Sequence, residues 1–515
     1  MTLEEKAGQL FCVLGELYDE ETLKFMVRKR CIGGVLFRPS PKAALQAKFD
    51  ELDKCAAMPL LKAANMESGS DGAISDGFLF ANPLQVAATG DDAYAEYLGK
   101  VCASDGESSG INWTFSPVVD IDLNFRNPIT NTRTFGSDAE TVEKYALKYI
   151  SAVQETGHIA ACVKHFPGDG VDFRDHHLHP SVNSLSSDEW HKTYGKIYKA
   201  AIDSGVKSIM AGHICQPNLS DNPLPASLNK DLLVGVLREK FGFNGVVTTD
   251  ATIMGGFCQA VERRLAIPRA IAAGCDMFVF NTDFEEDCAY IIEGVRNGIL
   301  AEERLDEAVS RIVALKESLG LFENRINVAS QLPAKKWRRE CAEKSITLIK
   351  NAENLLPLKA ENISKVRLII KGNPNCPDGI ISDIASRLLQ KRGIVAETFN
   401  IEKENMRGSA GFTKDLLTLY FANCEQKSDQ TVVRLFWSEK FALDMPRFIN
   451  ESPHIFVSLA NPYHLQDVPR VKTYINAYTA NSDTIEAVIK ALFGEIPFKG
   501  KSPVDAFCGL WDARL

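Results

Sequence analysis

The 515-residue sequence is defined first by what it lacks. No two of its 13 cysteines form a C-x-x-C pair, and an odd number scattered from Cys12 to Cys508 fits buried thiols in a reducing compartment better than a disulfide framework or a zinc site. The H-E-x-x-H spacing of a helical metal site is absent. No apolar run approaches the ~20 residues a membrane helix needs, and the stretch from Ile267 to Phe280 is interrupted by Arg269 and Asp276. The opening Met1-Thr2-Leu3-Glu4-Glu5-Lys6 has neither the basic n-region nor the apolar centre of a secretory signal, so the expected location is cytoplasmic, with no membrane partner. Basic residues are outnumbered by acidic ones, 58 to 67, and a net charge of −9 argues against a surface built to neutralise nucleic-acid phosphates.

What is present is an ordinary globular composition, 45% hydrophobic and 24% charged, in a chain too long for one core. Short β-rich runs begin near Gly8, Ile32, Pro59, Asn112, Ala160, Ser208, Gly245 and Cys275. Most are nearly continuous apolar runs, such as Gly33-Gly34-Val35-Leu36-Phe37, which suits strands buried on both faces of a parallel sheet. Amphipathic helices separate several of them; after Ser187, the residues Trp190, Tyr194, Ile197, Tyr198, Ala201 and Ile202 share one helical face. Repeated strand-helix units predict an α/β fold, a (β/α)8 TIM-type barrel over residues 1–334, with a doubly wound open sheet as the alternative. A polar stretch from Ala334 to Glu340 reads as the passage between domains. Beyond it, Arg367-Leu368-Ile369-Ile370, Val432-Val433-Arg434-Leu435-Phe436 and His454 to Leu459 read as strands, and Asp383–Lys391 and Thr484–Leu492 as helices, of a smaller αβα sandwich over 335–515.

A barrel places its chemistry at the carboxyl ends of the strands. There the runs end in Asn65 and Glu67, Asp120 and Asp122, Lys164 and His165, His213, Asp250, and Asn281, which together predict a polar pocket. Lys164 and His165 precede a tight Pro167-Gly168 turn; adjacent strand residues ordinarily point to opposite faces, so one of the two could sit outside the barrel. The following loop, Asp172 to Pro180, holds the densest His/Asp cluster of the chain. A metal site, a carboxylate-oriented catalytic histidine and a solvated loop all fit its composition. In the second reading Asp175 would hold the His177 imidazole in one tautomer. Gly168-Asp169-Gly170 lacks the third glycine and the helix of a dinucleotide site. Asp250, alone, reads as a helix N-cap as readily as a reactive group; opposite a proton-transfer residue it supplies what retaining glycoside cleavage requires.

With these residues in view the chain resembles glycoside hydrolase family 3, in its β-N-acetylglucosaminidase branch. The similarity is carried by Thr2 to Phe11, Arg133-Thr134-Phe135-Gly136-Ser137-Asp138, Lys164 to Gly170, Thr249-Asp250 with Met254, and Ser345 to Asn351 leading to Leu355-Leu356-Pro357-Leu358. The resemblance implies a barrel followed by an α/β sandwich, Asp250 as nucleophile, His177 as acid and base held by Asp175, and Arg133, Lys164, His165 and Asn65 binding the sugar. It implies no cofactor and no metal. Ala251 stands where β-glucosidases of the family commonly carry tryptophan, which favours the aminosugar branch. Asn65 replaces the branch's usual aspartate, Ser68 a glycine, and the family arginine expected near Ala73 is missing, so the contacts to the outer sugar hydroxyls are expected to differ.

The expected activity is that of a retaining, exo-acting β-N-acetylhexosaminidase (EC 3.2.1) releasing terminal β-linked N-acetylglucosamine or a related sugar through a glycosyl-aspartate. Its substrate would be a carbohydrate such as a muropeptide or chitooligosaccharide fragment from cell-wall recycling. Three alternatives stand beside it: a β-glycoside phosphorylase on the same site, a β-glucosidase or xylosidase, and a non-catalytic sugar-binding protein.

Overall fold

A computed structural model describes residues 1–323, 331–399, 416–425, 434–438 and 444–515. By compactness the chain forms two units, one of residues 1–80, 95–134 and 139–332, the other of 81–94, 135–138 and 333–515.

The first unit is a closed barrel of eight parallel strands: β1 (Phe11–Leu14), β2 (Gly34–Leu36), β3 (Leu61–Ala64), β4 (Trp113–Thr114), β5 (Ala160–Phe166), β6 (Ser208–Ala211), β7 (Val246–Ala251) and β8 (Met277–Val279). Each pairs with its neighbours in sequence, and β1 closes onto β8 through Phe11 opposite Phe278. This rules out the open doubly wound sheet. Nearly every strand residue is buried, as strands covered inside and outside must be. Local signals fix the helix starts. Thr2 with Glu5 and Ser186 with Glu189 form reciprocal capping boxes, each satisfying otherwise orphaned backbone donors. The helical run from 187 to 203 buries Trp190, Tyr194, Ile197, Tyr198 and Ala201 and leaves Ile202 half-buried. The Gly8 to Leu10 segment, read from sequence as strand, ends the first helix, Leu3–Gln9, and β1 starts at Phe11.

The second unit is built on a six-stranded mixed sheet. Its strands are β9 (Thr347–Asn351), β10 (Lys365–Gly372), β11 (Val395–Phe399), β12 (Thr418–Asn423), β13 (His454–Ser458) and β14 (Thr473–Asn476), in the order β9-β14-β13-β12-β10-β11 with β9 antiparallel. One apolar cluster joins Leu368, Leu419, Ile455 and Ile475 to helices Ile381–Gln390 and Ser482–Leu492. A second, on Ile369, Tyr420, Phe456 and Tyr474, includes a ladder of rings stacked 5.6 Å apart, Tyr420 on Phe456 on Tyr474. Residues 334–340, expected as a linker, belong instead to helix Ala334–Ser345. Its inward face, Arg338, Cys341, Ala342 and Ser345, recurs at helical spacing, but the lysines and arginines around it mask that period in sequence. Helix Pro83–Ala88 also lies in this unit, where buried Gln85 donates to Ser345 Oγ and Thr484 Oγ1 at 3.2 and 3.1 Å. Of the expected strand at 432–436, Val432 and Val433 lie outside the described residues, and 434–436 form no strand. Among the described residues no helix is long and apolar enough to cross a membrane, and all 13 cysteines are free thiols.

Candidate active site

The ends of β3, β5 and β7 open onto one cavity of about 520 Å³, lined by Asn65, Glu67, Arg133, Lys164, His165, His177 and Asp250, with Phe115, Met210, Ile253, Met254 and Phe280 supplying apolar wall. Of the residues expected to carry the reaction or hold the sugar, all meet there except Asp175, which stands behind His177; of the other polar strand ends, only Glu67 lines the cavity. Lys164 and His165 both face the cavity. The pairing register with β6 shifts between Val163 and Phe166, which breaks the strict alternation that would send neighbours to opposite sides; the Lys164–His165 peptide is cis. Gly170, at φ 101°, completes the turn where a Cβ would come 1.9 Å from the Ile121 carbonyl oxygen.

One side of the cavity is an ion-pair network centred on Glu67. Arg133 donates to both its oxygens through Nε and Nη2, each at 2.8 Å, and Lys164 Nζ pairs with it at 2.7 Å. Burial opposes ionisation of Glu67, but these two cations outweigh it and hold the carboxyl well below the ordinary carboxylate range. Lys164 Nζ also donates to Asn65 Oδ1 at 3.0 Å, so the asparagine keeps a polar contact without adding charge. At Ala73, where the family arginine was expected, a buried methyl stands; Arg133 and Lys164 are the lysine and arginine side chains that line the cavity.

Across from this network, Asp250 sits at the end of β7 and, among the described residues, forms no ion pair with a lysine or arginine: Oδ1 accepts the Ala251 N–H at 2.7 Å, and Oδ2 faces His165 Nε2 at 3.9 Å and His176 Nε2 at 3.7 Å. It caps no helix, since the next one, Gly255–Cys258, has Met254 at its N-cap. Burial would raise its carboxyl, but the imidazoles of His165, His176, His213 and His177 prevail and hold it well below the usual range. A buried carboxylate kept ionised without a strong ion pair has the chemistry that nucleophilic attack requires.

His177 is turned by Asp175, whose Oδ1 accepts the His177 backbone N–H at 2.8 Å and contacts ring Nδ1 at 2.7 Å. With Nδ1 occupied, Nε2 is the nitrogen left for proton transfer. The loop carrying this dyad is fastened to the loop after β7 by main-chain bonds, Gly255 N–H to the His177 carbonyl at 2.7 Å and Gly256 N–H to the His176 carbonyl at 3.2 Å. Only glycine allows this approach: a Cβ at Gly255 would lie 2.0 Å from the Leu178 carbonyl oxygen, and one at Gly256 2.4 Å from that of His176.

Several of the polar strand ends expected in the pocket act behind it. Asp120 accepts the His165 N–H at 3.1 Å and contacts its Nδ1 at 2.7 Å. Asp122 accepts from Thr130 Oγ1 at 2.7 Å, and Asn281 donates to the Tyr18 hydroxyl at 2.9 Å. His213, whose basicity burial lowers, reaches the Ala251 carbonyl through Nε2 at 3.0 Å and Ser227 through Nδ1 at 2.9 Å. Two residues escaped the sequence reading: His176, wholly buried beside Asp250, and Asp169, on the far side of its ring. Three adjacent His/Asp positions in an aperiodic loop give no clue to which ring turns inward. His165, His176 and Asp250 are the one trio among the described residues whose donor atoms converge within 4.8 Å as a cation would require. The same atoms can carry acid-base and nucleophilic chemistry without an ion.

Residues 2–315 match the family described as Glycosyl hydrolase family 3 N terminal domain. A β-N-acetylglucosaminidase/β-glucosidase of Cellulomonas fimi is 41% identical over 99% of this chain and 95% of its own. Among solved structures, β-glucoside phosphorylase BglX superposes with a TM-score of 0.92 at 41% identity, covering 100% of this chain and 95% of that one. A family 3 β-N-acetylglucosaminidase from Paenibacillus sp. str. FPU-7 shares the fold at a TM-score of 0.84 and 23% identity, over 99% and 100% of the two chains. The chain belongs to glycoside hydrolase family 3, an enzyme family acting on β-linked sugars.

Proposed function

We propose that this chain cleaves a terminal β-linked N-acetylglucosamine or glucose residue from a small glycoside, with retention, through a covalent glycosyl ester on Asp250 and with His177 as acid and base. The observation that carries the reading is the Asp175–His177 pair at 2.7 Å, which frees one ring nitrogen toward the cavity that also holds Asp250.

In the first step Asp250 bonds to the anomeric carbon as the bond to the aglycone oxygen breaks, and protonated His177 gives its proton to that oxygen. Asp175 stabilises the imidazolium before donation and keeps the ring in place after it. In the second step the neutral imidazole takes a proton from the acceptor, which attacks the anomeric carbon and releases Asp250. Arg133, Lys164, His165 and Asn65 are the side chains proposed to hold the sugar hydroxyls. Glu67 fixes the two cations, so their donors are aimed before substrate arrives. Soluble muropeptide or chitooligosaccharide fragments are substrates of the right chemistry.

The acceptor distinguishes two readings. Water gives a hydrolase; phosphate gives a phosphorylase and a sugar 1-phosphate. The second is favoured by the likeness, over the whole chain, to β-glucoside phosphorylase BglX, and by an acid/base group that is uncharged after donating its proton and so does not repel an incoming phosphate as a carboxylate would. Aryl β-glycosides of N-acetylglucosamine, glucose, xylose and N-acetylgalactosamine, each assayed with and without phosphate, test both questions. Turnover of the first two is expected, and a sugar 1-phosphate product assigns phosphate as acceptor. Failure to turn over any of the four overturns the enzymatic reading.

A further inference from the structure

His176 has no place in the steps above, yet it occupies the most enclosed position of the site. Its ring is fully buried and neither nitrogen has a hydrogen-bond partner. Leaving two polar ring atoms unsatisfied in a protein interior costs free energy, so such a group calls for an explanation. The geometry around it is symmetrical: Nε2 lies 3.7 Å from Asp250 Oδ2, and Nδ1 lies 3.7 Å from Asp169 Oδ2, itself buried without a partner. The other oxygen of Asp169 is committed, accepting from Asn127 Nδ2 and from the Gly170 N–H, both at 2.7 Å. The remaining titratable groups facing the His176 ring are His165 on β5, His213 after β6, and His177 with Asp175 on its own loop. Asp120 stands behind both His165 and Asp169, accepting the Asp169 N–H at 2.8 Å.

We infer that Asp250, His176 and Asp169 form a relay in which the protonation of Asp169 selects the tautomer of His176, and with it whether the nucleophile is hydrogen-bonded. This rests on the reading of Asp250 as nucleophile. With Asp169 protonated, its Oδ2–H is directed at Nδ1 across 3.7 Å, the ring proton sits on Nε2, and Nε2–H is directed at Asp250 across 3.7 Å, both gaps closing to hydrogen bonds as the site tightens on substrate. With Asp169 ionised, the ring proton moves to Nδ1 to meet the new anion, and the Nε2 lone pair faces the Asp250 carboxylate. The first state is attractive at both ends and the second repulsive at one. Burial and the charge of Asp120 push the Asp169 carboxyl up to about 8, so near neutral pH it holds the proton the first state needs. Burial pushes the basicity of His176 down, consistent with a neutral ring carrying one proton.

The consequence falls on the second chemical step. When the glycosyl ester breaks, electrons of the C–O bond return to Asp250, and a donor already pointing at that oxygen stabilises the departing carboxylate. The relay gains and loses no proton in the cycle; His177 alone exchanges one with aglycone and acceptor. His176 and Asp169 are thus positioning residues.

The experiment isolates that step. The enzyme is loaded with a 2-deoxy-2-fluoroglucosyl fluoride, the adduct is located by mass spectrometry, excess reagent is removed, and recovery of activity is followed across pH. This step requires neutral His177, so that residue alone predicts no decline at high pH. In the unaltered enzyme recovery is expected to slow above about pH 8. Asp169→Asn keeps the contacts to Asn127 and Gly170, presents a non-titrating donor to Nδ1, and should abolish that decline. His176→Phe should slow recovery about 10²- to 10³-fold below about pH 8, the scale of one lost preorganised donor, and show no further alkaline decline, and His176→Gln, which can still donate to Asp250, should restore part of the rate. An alkaline decline that persists in Asp169→Asn, or recovery at the normal rate in His176→Phe, overturns the relay. Should His176→Phe fail to fold, the Asp169→Asn profile decides. An adduct on a residue other than Asp250 overturns the reading of the nucleophile, and the relay with it.

Discussion

Two buried aspartates of the barrel show how one side chain serves opposite ends. Asp276, just before β8, is fully enclosed by three guanidinium groups, Arg238 and Arg304 at 2.6 Å and Arg311 at 3.3 Å, and accepts the Val247 N–H at 2.9 Å. Its lone pairs are spent on holding the helices of Arg238 and Arg304 against the start of the strands. Asp250, at the other end of β7, meets among the described residues imidazoles 3.7 and 3.9 Å away and the adjacent N–H. A carboxylate saturated by fixed cations is a rivet; one kept ionised by weaker, adjustable neighbours retains a lone pair for an electrophile. Barrels separate these tasks by strand end.

Substitutions at the two aspartates should therefore diverge. Asp250→Asn is expected to lower turnover by roughly 10⁴-fold or more while leaving the melting temperature unchanged or higher, because reactive groups are held at a cost in stability; a stability loss as large as its catalytic loss would erase the contrast. Next in size, His177→Ala should lower turnover of alkyl glycosides by roughly 10²- to 10⁴-fold and that of 2,4-dinitrophenyl glycosides far less, since a good leaving group departs without an acid. Asp276→Asn should cost about 3–5 kcal/mol in urea unfolding, because three cations are left facing one another, with turnover per folded molecule barely moved. The smallest effect sharpens the comparison with a buried cation. Lys316, wholly enclosed with Gln9 Oε1 2.8 Å from its Nζ, has its basicity pushed by burial from 10.5 to about 7. Between those values the unfolded chain binds the proton and the native one does not, so this group makes stability rise with pH. Urea midpoints at about pH 7 and 9.5 should show that rise, and Lys316→Met should flatten it.

Much of this was legible in the sequence because strands buried on both faces are written as apolar runs, and because a closed barrel turns each run's polar end toward a common centre. Asp250, Lys164 and His165 were visible for that reason. His176 was not: Asp175, His176 and His177 are consecutive in a loop without period, and only the fold shows that the His176 ring turns inward while the His177 ring faces the cavity. Asp276 was noted only as an interruption in an apolar stretch, since its three arginines come from 38 residues earlier and from 28 and 35 residues later. Helix Ala334–Ser345 was hidden by a charged outer face denser than its narrow buried stripe.

The pair of main-chain bonds from Gly255 and Gly256 makes a clasp between two loops, and a clasp has a hereditary consequence. Because it grips only backbone at His176 and His177, and because Phe173 in the preceding loop is 62% exposed, that side chain can vary without altering the spacing of His177 and Asp250. Lineages can retailor the outer surface of this loop and inherit the geometry of the site intact.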